Sequence, residues 1–208
     1  MQFIRDEDEY GRTAKWVGSF FTCAARLPDL VFAGAPAEVG FCEFDDVLDA
    51  AFWDLLDGLA VEHGDGEVLL MSIEPDAASY YKKRFGYFGA ARLPVAGARE
   101  AYERLISYPP EESPADALIY NGRVLAITGA SGGFRIWAQR DVELVVVGVF
   151  RTDLRPVPAL PAGIPWRSAA GALRLTAPTF LNQVVPEGFR SRFVAEYGAF
   201  PVARGYGS

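Results

Sequence analysis

From residue 28 to residue 80 this chain of 208 residues has no lysine or arginine. It also has one histidine and two cysteines in all. A single histidine cannot assemble a zinc site unless cysteines stand near it, and neither Cys23 nor Cys42 has the short ligand spacing such sites use. Two cysteines in a chain this long do not make a disulfide framework, so both are expected as free thiols of a cytoplasmic protein. No apolar run approaches the roughly 18 residues needed to span a bilayer. Met1 to Tyr10 is too acidic and too short of apolar residues to read as a secretory signal. No P-loop or dinucleotide fingerprint is present, and no cofactor is expected.

What fills the stretch without positive charge is acid. Thirteen Asp and Glu residues lie between Leu27 and Tyr81. Residues 1–26 carry four charges of each sign, and residues 77–208 hold sixteen basic side chains against ten acidic ones. The net charge of −7 therefore hides a segment near −13 and a C-terminal part near +6. Such segregation creates a field over one face that can steer a basic partner. Half of the residues are apolar and 13% are aromatic, enough for a packed core. The expected organisation is one α+β domain over residues 1–150. An irregular extension over 151–208, with seven of the fourteen prolines, packs on the same domain.

Local signals place the elements. Lys15 to Ala24 is aromatic-rich and reads as a first strand, Leu27 to Gly40 as loop, and Phe41 to Gly58 as a helix stopped by its glycine. His63-Gly64-Asp65-Gly66 is a turn before a strand at Glu67–Ile73. Pro75 and Asp76 open a second helix that runs to Phe85 and stops at Gly86. A third covers Ala98–Ser107, ahead of Pro109-Pro110. Asn121-Gly122 is the strongest hairpin signal, joining Ala117–Tyr120 to Arg123–Thr128. Phe134–Gln139 and Val142–Phe150 form a second hairpin about Arg140-Asp141. Helices first and strands later give an antiparallel meander packed by about three helices. In the extension a short helix is expected at Phe189–Tyr197, and the last residues, Gly205–Ser208, as a mobile tail.

The acidic helix carries the functional expectation. On a wheel drawn from Phe44, one face collects Phe44, Val47, Leu48, Ala51, Phe52, Leu55 and Leu59. The opposite face holds Asp46, Asp49 and Asp57, with Glu43 at its edge and Trp53 among the acids. A tryptophan ringed by carboxylates has the anchor-and-rim form of an interface hot spot. The alternative is that Trp53 lies under the C-terminal extension while the acids solvate the helix. A divalent metal site wants converging ligands, which a smooth helical ridge does not offer.

Other motifs fail on context. Gly129-Ala130-Ser131-Gly132-Gly133 satisfies the G-x-S-x-G pattern, but the nucleophile elbow needs a helix after the serine. Here Phe134-Arg135-Ile136-Trp137 reads as a strand, and His63 lies upstream instead of last, so a hairpin loop explains the glycines better. Tyr80-Tyr81-Lys82-Lys83-Arg84-Phe85, with Tyr87 and Phe88, mixes bases with aromatics as a nucleic-acid surface does. The acidity of the chain opposes a polyanion, so these residues read as a satellite core of Tyr81, Phe85 and Phe88. Their basic rim would answer the chain's own acidic helix.

Tyr80–Gly86, then Tyr102 and Pro109, then Ser131-Gly132 leading into Ile136-Trp137 and Arg140-Asp141-x-Glu143, resemble a layout of small bacterial proteins. Some of those are similar to immunity proteins of toxin systems. The resemblance covers about residues 70–150, and its motifs are structural, so it transfers no functional residue. It implies a non-catalytic binding protein, and an acidic ridge would suit the cationic surface of a nuclease toxin. Taken together, the sequence reads as a binder without catalytic activity. Its partner would be a basic protein met by Asp46, Asp49, Trp53 and Asp57, with no nucleic acid and no membrane. One rival is an enzyme whose pocket beside the Trp137 hairpin uses Arg135, Arg140, Asp141 and Glu143. Another is a structural component of a larger assembly.

Overall fold

A computed structural model describes residues 3–96, 99–110, 113–150 and 166–202. The first element is a helix, α1 (Glu7–Phe20), where a strand was expected from the aromatic run at Lys15. Its start explains the difference. The Asp6 side chain caps the Glu9 amide at 2.8 Å, and Glu7, Asp8 and Glu9 set negative charge in the first turn. Once begun, the helix turns Thr13 and Val17 inward and leaves Trp16 half-exposed.

The expected helix from Phe41 to Gly58 is three pieces. A strand, β1 (Glu38–Glu43), runs into a 3-10 turn at Phe44–Leu48, and after a break at residues 49–51 comes α2 (Phe52–His63). Gly58 lies inside α2, and the left-handed stop falls at Gly64 with φ 70°. Next come β2 (Glu67–Glu74), a π-helical turn at Ala77–Lys82 running on into α3 (Lys83–Phe85), and β3 (Ala90–Pro94). Gly86 ends this helical segment, as expected, but Asp76 is the cap, its side chain accepting from the Ala78 and Ser79 amides, so Pro75 lies before the turn instead of at its first position. Then follow α4 (Arg99–Ile106) and α5 (Leu118–Asn121), where the first hairpin strand was expected. Asn121 there donates to Asp116 at 2.9 Å, and Gly122 has an ordinary φ of −64°, so the Asn-Gly pair makes no hairpin turn.

The meander itself is β4 (Val124–Gly129), β5 (Phe134–Gln139) and β6 (Leu144–Val149). It forms the centre of a six-stranded antiparallel sheet in the order β1-β6-β5-β4-β2-β3. The fold class is α+β. Strand alternation divides the apolar side chains between two cores. Val68, Leu70, Leu125, Ile127, Ile136, Ala138, Val145 and Val147 face α2 and α4. Met71, Val124, Ala126, Trp137, Leu144 and Val146 face α1 and the C-terminal helices. Those are α6 (Ala169–Thr176) and α7 (Glu187–Tyr197), one more than the sequence signalled. They cover β1 through Leu173, Phe193 and Tyr197, with Phe41 packed on Phe193. The proline-rich residues 151–165 and the tail at 203–208 lie outside the described residues.

Candidate acidic interface

The sheet register brings one set of acids together. Glu43 pairs with Leu144 across β1 and β6, and Val124 pairs with Gln139 across β4 and β5. The end of β1, the 3-10 turn after it and the β5–β6 connection therefore share one edge of the sheet. On that edge stand Glu43, Asp45 and Asp46 from the turn and Glu143 from the connection. Glu143 takes a left-handed backbone, φ 51°, that closes the β5–β6 turn. Burial raises its carboxyl above the ordinary Glu value, the negative charge of Asp45 adds to this, and Arg140 opposes it, with Glu43 and Asp141 adding further. The neighbouring cation is largely spent on the backbone. Arg140 donates to the carbonyls of Gly122 and Ile119, both at 2.9 Å, and lies over the Phe44 ring at 4.5 Å.

Each predicted contact residue has a definite place. Asp46 is half-buried and its Oδ2 accepts from the Glu43 amide at 2.9 Å, half of a reciprocal cap with Glu43. Asp49 is exposed, and its Oδ1 accepts from the Ala51 amide at 2.7 Å where the chain enters α2. Asp57 is half-buried on α2 and has no hydrogen bond or ion pair among the described residues. Trp53 corrects the expectation: it is 4% exposed, with its ring 5.9 Å from that of Tyr102. The wheel allowed α2 one buried side. The helix in fact packs on the sheet through Leu55 and Leu59 and on α4 through Trp53, so its buried arc reaches round through Leu56 and Ala60 to Trp53. Ala51, assigned to the apolar face, is exposed because the break before α2 interrupts the wheel.

Acids that the wheel did not assign complete the surface. Asp45 is exposed and Asp54 pairs with Arg99 at 3.4 Å. Beyond Asp57 the outer face of α2 continues through exposed Val61 and Glu62. The signal that could have found Asp45 and Glu143 is strand pairing, since they are close only through the β1–β6 register. Among the described residues, no group of three or more His, Cys, Asp or Glu side chains is placed to hold a metal ion. No helix among them is long and apolar enough to cross a membrane.

The rival set does not converge. Arg135 stands near the start of β5 and Arg140 just beyond its end, about 15 Å apart on an extended strand. Arg135 donates to the Phe20 and Gly132 carbonyls, both at 3.2 Å, and its guanidinium lies 3.6 Å from the Phe150 ring centroid, while Arg140, Asp141 and Glu143 sit at the acidic edge. The basic rim after Tyr81 does not answer the acidic helix either. Arg84 pairs with Asp116 at 3.5 Å and donates to the Tyr80 hydroxyl at 2.8 Å, and Lys82 donates to the Arg5 carbonyl. Burial works to raise the Asp116 carboxyl, but bonds from Ser113 and Tyr80 and the charge of Arg84 outweigh it and hold the group low. Phe88 leaves the satellite core for the opposite one, stacked on Tyr10 at 3.9 Å.

Ser131 and Asp65 do meet, at the far end of the sheet, and His63 lies against Gly133 of the same loop. Asp65 is 8% exposed and accepts from the Ser131 amide at 2.6 Å and its hydroxyl at 2.9 Å. His63 Nδ1 bonds the Leu59 carbonyl at 2.9 Å, so the imidazole does not stand between serine and carboxylate as a relay requires. A side chain at Gly129 would overlap Asp65, and one at Gly133 would overlap His63. Those glycines serve close packing of the β4–β5 loop. In comparisons with known proteins, no family model, no curated protein and no solved structure matches this chain.

Proposed function

We propose that this chain is a non-catalytic, cytoplasmic binding protein that meets a basic protein through the acidic edge formed by Glu43, Asp45, Asp46, Asp49 and Glu143. Asp54 and Asp57 continue the edge along α2. The observation that carries the reading is the clustering of Glu43, Asp45 and Glu143 from two separate segments beside Arg140, whose donors already serve backbone carbonyls, while the other cation at this end, Arg123, is held by Asp141 at 2.8 Å and Glu74 at 3.4 Å. A surface left with unneutralised charge of one sign attracts the opposite sign at long range and repels polyanions. The partner class that fits is a protein surface made cationic to hold phosphates, such as that of a nuclease toxin. The resemblance over residues 70–150 supports the same class. Trp53 plays no part in the contact.

The test is capture of basic proteins from cell extract at low ionic strength, beside a variant carrying Asp45→Lys, Asp49→Lys and Asp57→Lys. Wild type is expected to retain a basic protein that is released as salt shortens the screening length to about 10 Å at 0.1 M. The variant is expected to retain none of it. Equal retention by both proteins overturns the acidic edge as the contact surface.

A further inference from the structure

On the opposite side of the sheet a hollow of about 410 Å³ opens between α6 and α7. Ala170, Leu173 and Arg174 of α6 form one wall, Arg190 of α7 another, and Gln183 to Val185 of the connecting turn close it. Leu173 and Val185 are buried beneath, while Val184 is 62% exposed and Leu181, at the tip of the turn, 86% exposed. We propose that this hollow binds an amphipathic carboxylate: a small molecule with an apolar body and a single anionic end.

Three observations point to that chemistry. The volume lies in the range of about 300–1,000 Å³ typical of small-molecule sites. Its two cations come from different helices and have little to pair with among the described residues. Arg174 has no ion pair or hydrogen bond among the described residues, and Arg190 has only Glu187, one turn away on its own helix at 3.7 Å. A guanidinium offers paired donors that match a carboxylate, and the apolar floor has no partner for a polar tail. The wall is also held in a conformation side chains disfavour. Asn182 and Gln183 are consecutive left-handed residues, φ 58° and 56°, neither of them glycine. Asparagine tolerates that region, but glutamine gains nothing from it, and Gln183 is the member that lines the hollow. Two guanidiniums at the rim disfavour a cation, and a neutral molecule of the same shape would offer no counter-charge to Arg174, which has none among the described residues.

Calorimetry and ligand-observed NMR with decanoate below its micelle concentration test the site, with decanol as the uncharged match. Wild type is expected to bind decanoate saturably and decanol about tenfold more weakly. The surface double variant Arg174→Gln/Arg190→Gln should lose about tenfold in decanoate affinity while keeping its melting temperature. No saturable decanoate binding to wild type, or equal affinity of wild type and double variant, overturns the proposal.

Discussion

The two ends of the sheet use carboxylates in opposite ways. At the far end Asp65 is buried, accepts two hydrogen bonds from Ser131 and sits where glycines leave room for it. At the near end Glu43, Asp45, Asp46, Asp49 and Glu143 face solvent to varying degrees, and their bonds are local turn caps. The far carboxylate is consumed by the fold, whereas the near ones keep most of their charge outward. An acid-rich sequence therefore says little until each carboxylate's partners are known.

The largest expected effect falls beneath the acidic edge. Replacing Trp53 by Ala should cost about 3–5 kcal/mol of stability, the range for emptying a large aromatic site in a core. Chemical denaturation measures it directly. A surface tryptophan would cost little, so a loss under about 1 kcal/mol would contradict the packing of Trp53 on α4.

Next is the consumed carboxylate. Asp65→Ala should destabilise by about 2–3 kcal/mol, because the Ser131 amide and hydroxyl lose a charged acceptor. Ser131→Ala should cost less, about 1 kcal/mol, since the amide bond to Asp65 survives. If Ser131→Ala were the more damaging of the two, the view of Asp65 as the loop's anchor would fail.

The contrast between the ends also shows what the sequence made legible. Four strands could be read from local pattern: β2 between a turn and Pro75, and β4, β5 and β6 as short runs set off by Asn121-Gly122, Gly129–Gly133 and Arg140-Asp141, although Asn121-Gly122 turns out to end a helix. A helical segment ending at Gly86 was also legible, though it starts at Ala77 behind the Asp76 cap and is π-helical in its first part. The misread elements share a cause. Lys15–Ala24 looks like strand by composition, but the Asp6 cap upstream had already committed the chain to helix. Phe41–Glu43 looks helical by spacing, yet pairing with β6 along the sheet edge prevails over a local preference that short segments satisfy either way. The acids of the proposed edge differ in how far local pattern reaches them. Asp46, Asp49 and Asp57 were grouped by a helical wheel that the break at residues 49–51 interrupts, while Glu143 arrives through strand register. The burial of Trp53 depended on α4 lying against the second side of α2.

A smaller effect separates the outward acids from the fold. Asp45→Asn should change stability by less than about 0.5 kcal/mol, since this exposed side chain makes no cap or ion pair among the described residues. It should still slow association with a basic partner, and the slowing should fade as salt rises. Asp49→Ala should show both effects, because losing the acceptor of the Ala51 amide costs about 1 kcal/mol. Stopped-flow association at two ionic strengths, beside denaturant melts, distinguishes them. An association rate unchanged at low salt in both variants would remove these residues from the contact.

The smallest effect lies at Glu143. Its folded carboxyl titrates above the ordinary Glu value of 4.5, raised first by burial and then by Asp45. A group raised in this sense opposes folding when ionised, so at neutral pH Glu143→Gln should melt slightly higher than wild type. The gap should narrow as pH falls through the raised value and vanish once both folded and unfolded carboxyls are protonated, below about 4.5. A cationic partner reverses the local field and favours the ionised form. Binding should then release a proton in the window just above 4.5 and weaken as pH falls through it, in wild type more than in Glu143→Gln. Calorimetric titrations in buffers of different ionisation enthalpy measure that proton. Its absence would mean that Glu143 lies outside the contact, and that the acidic edge ends at the 3-10 turn.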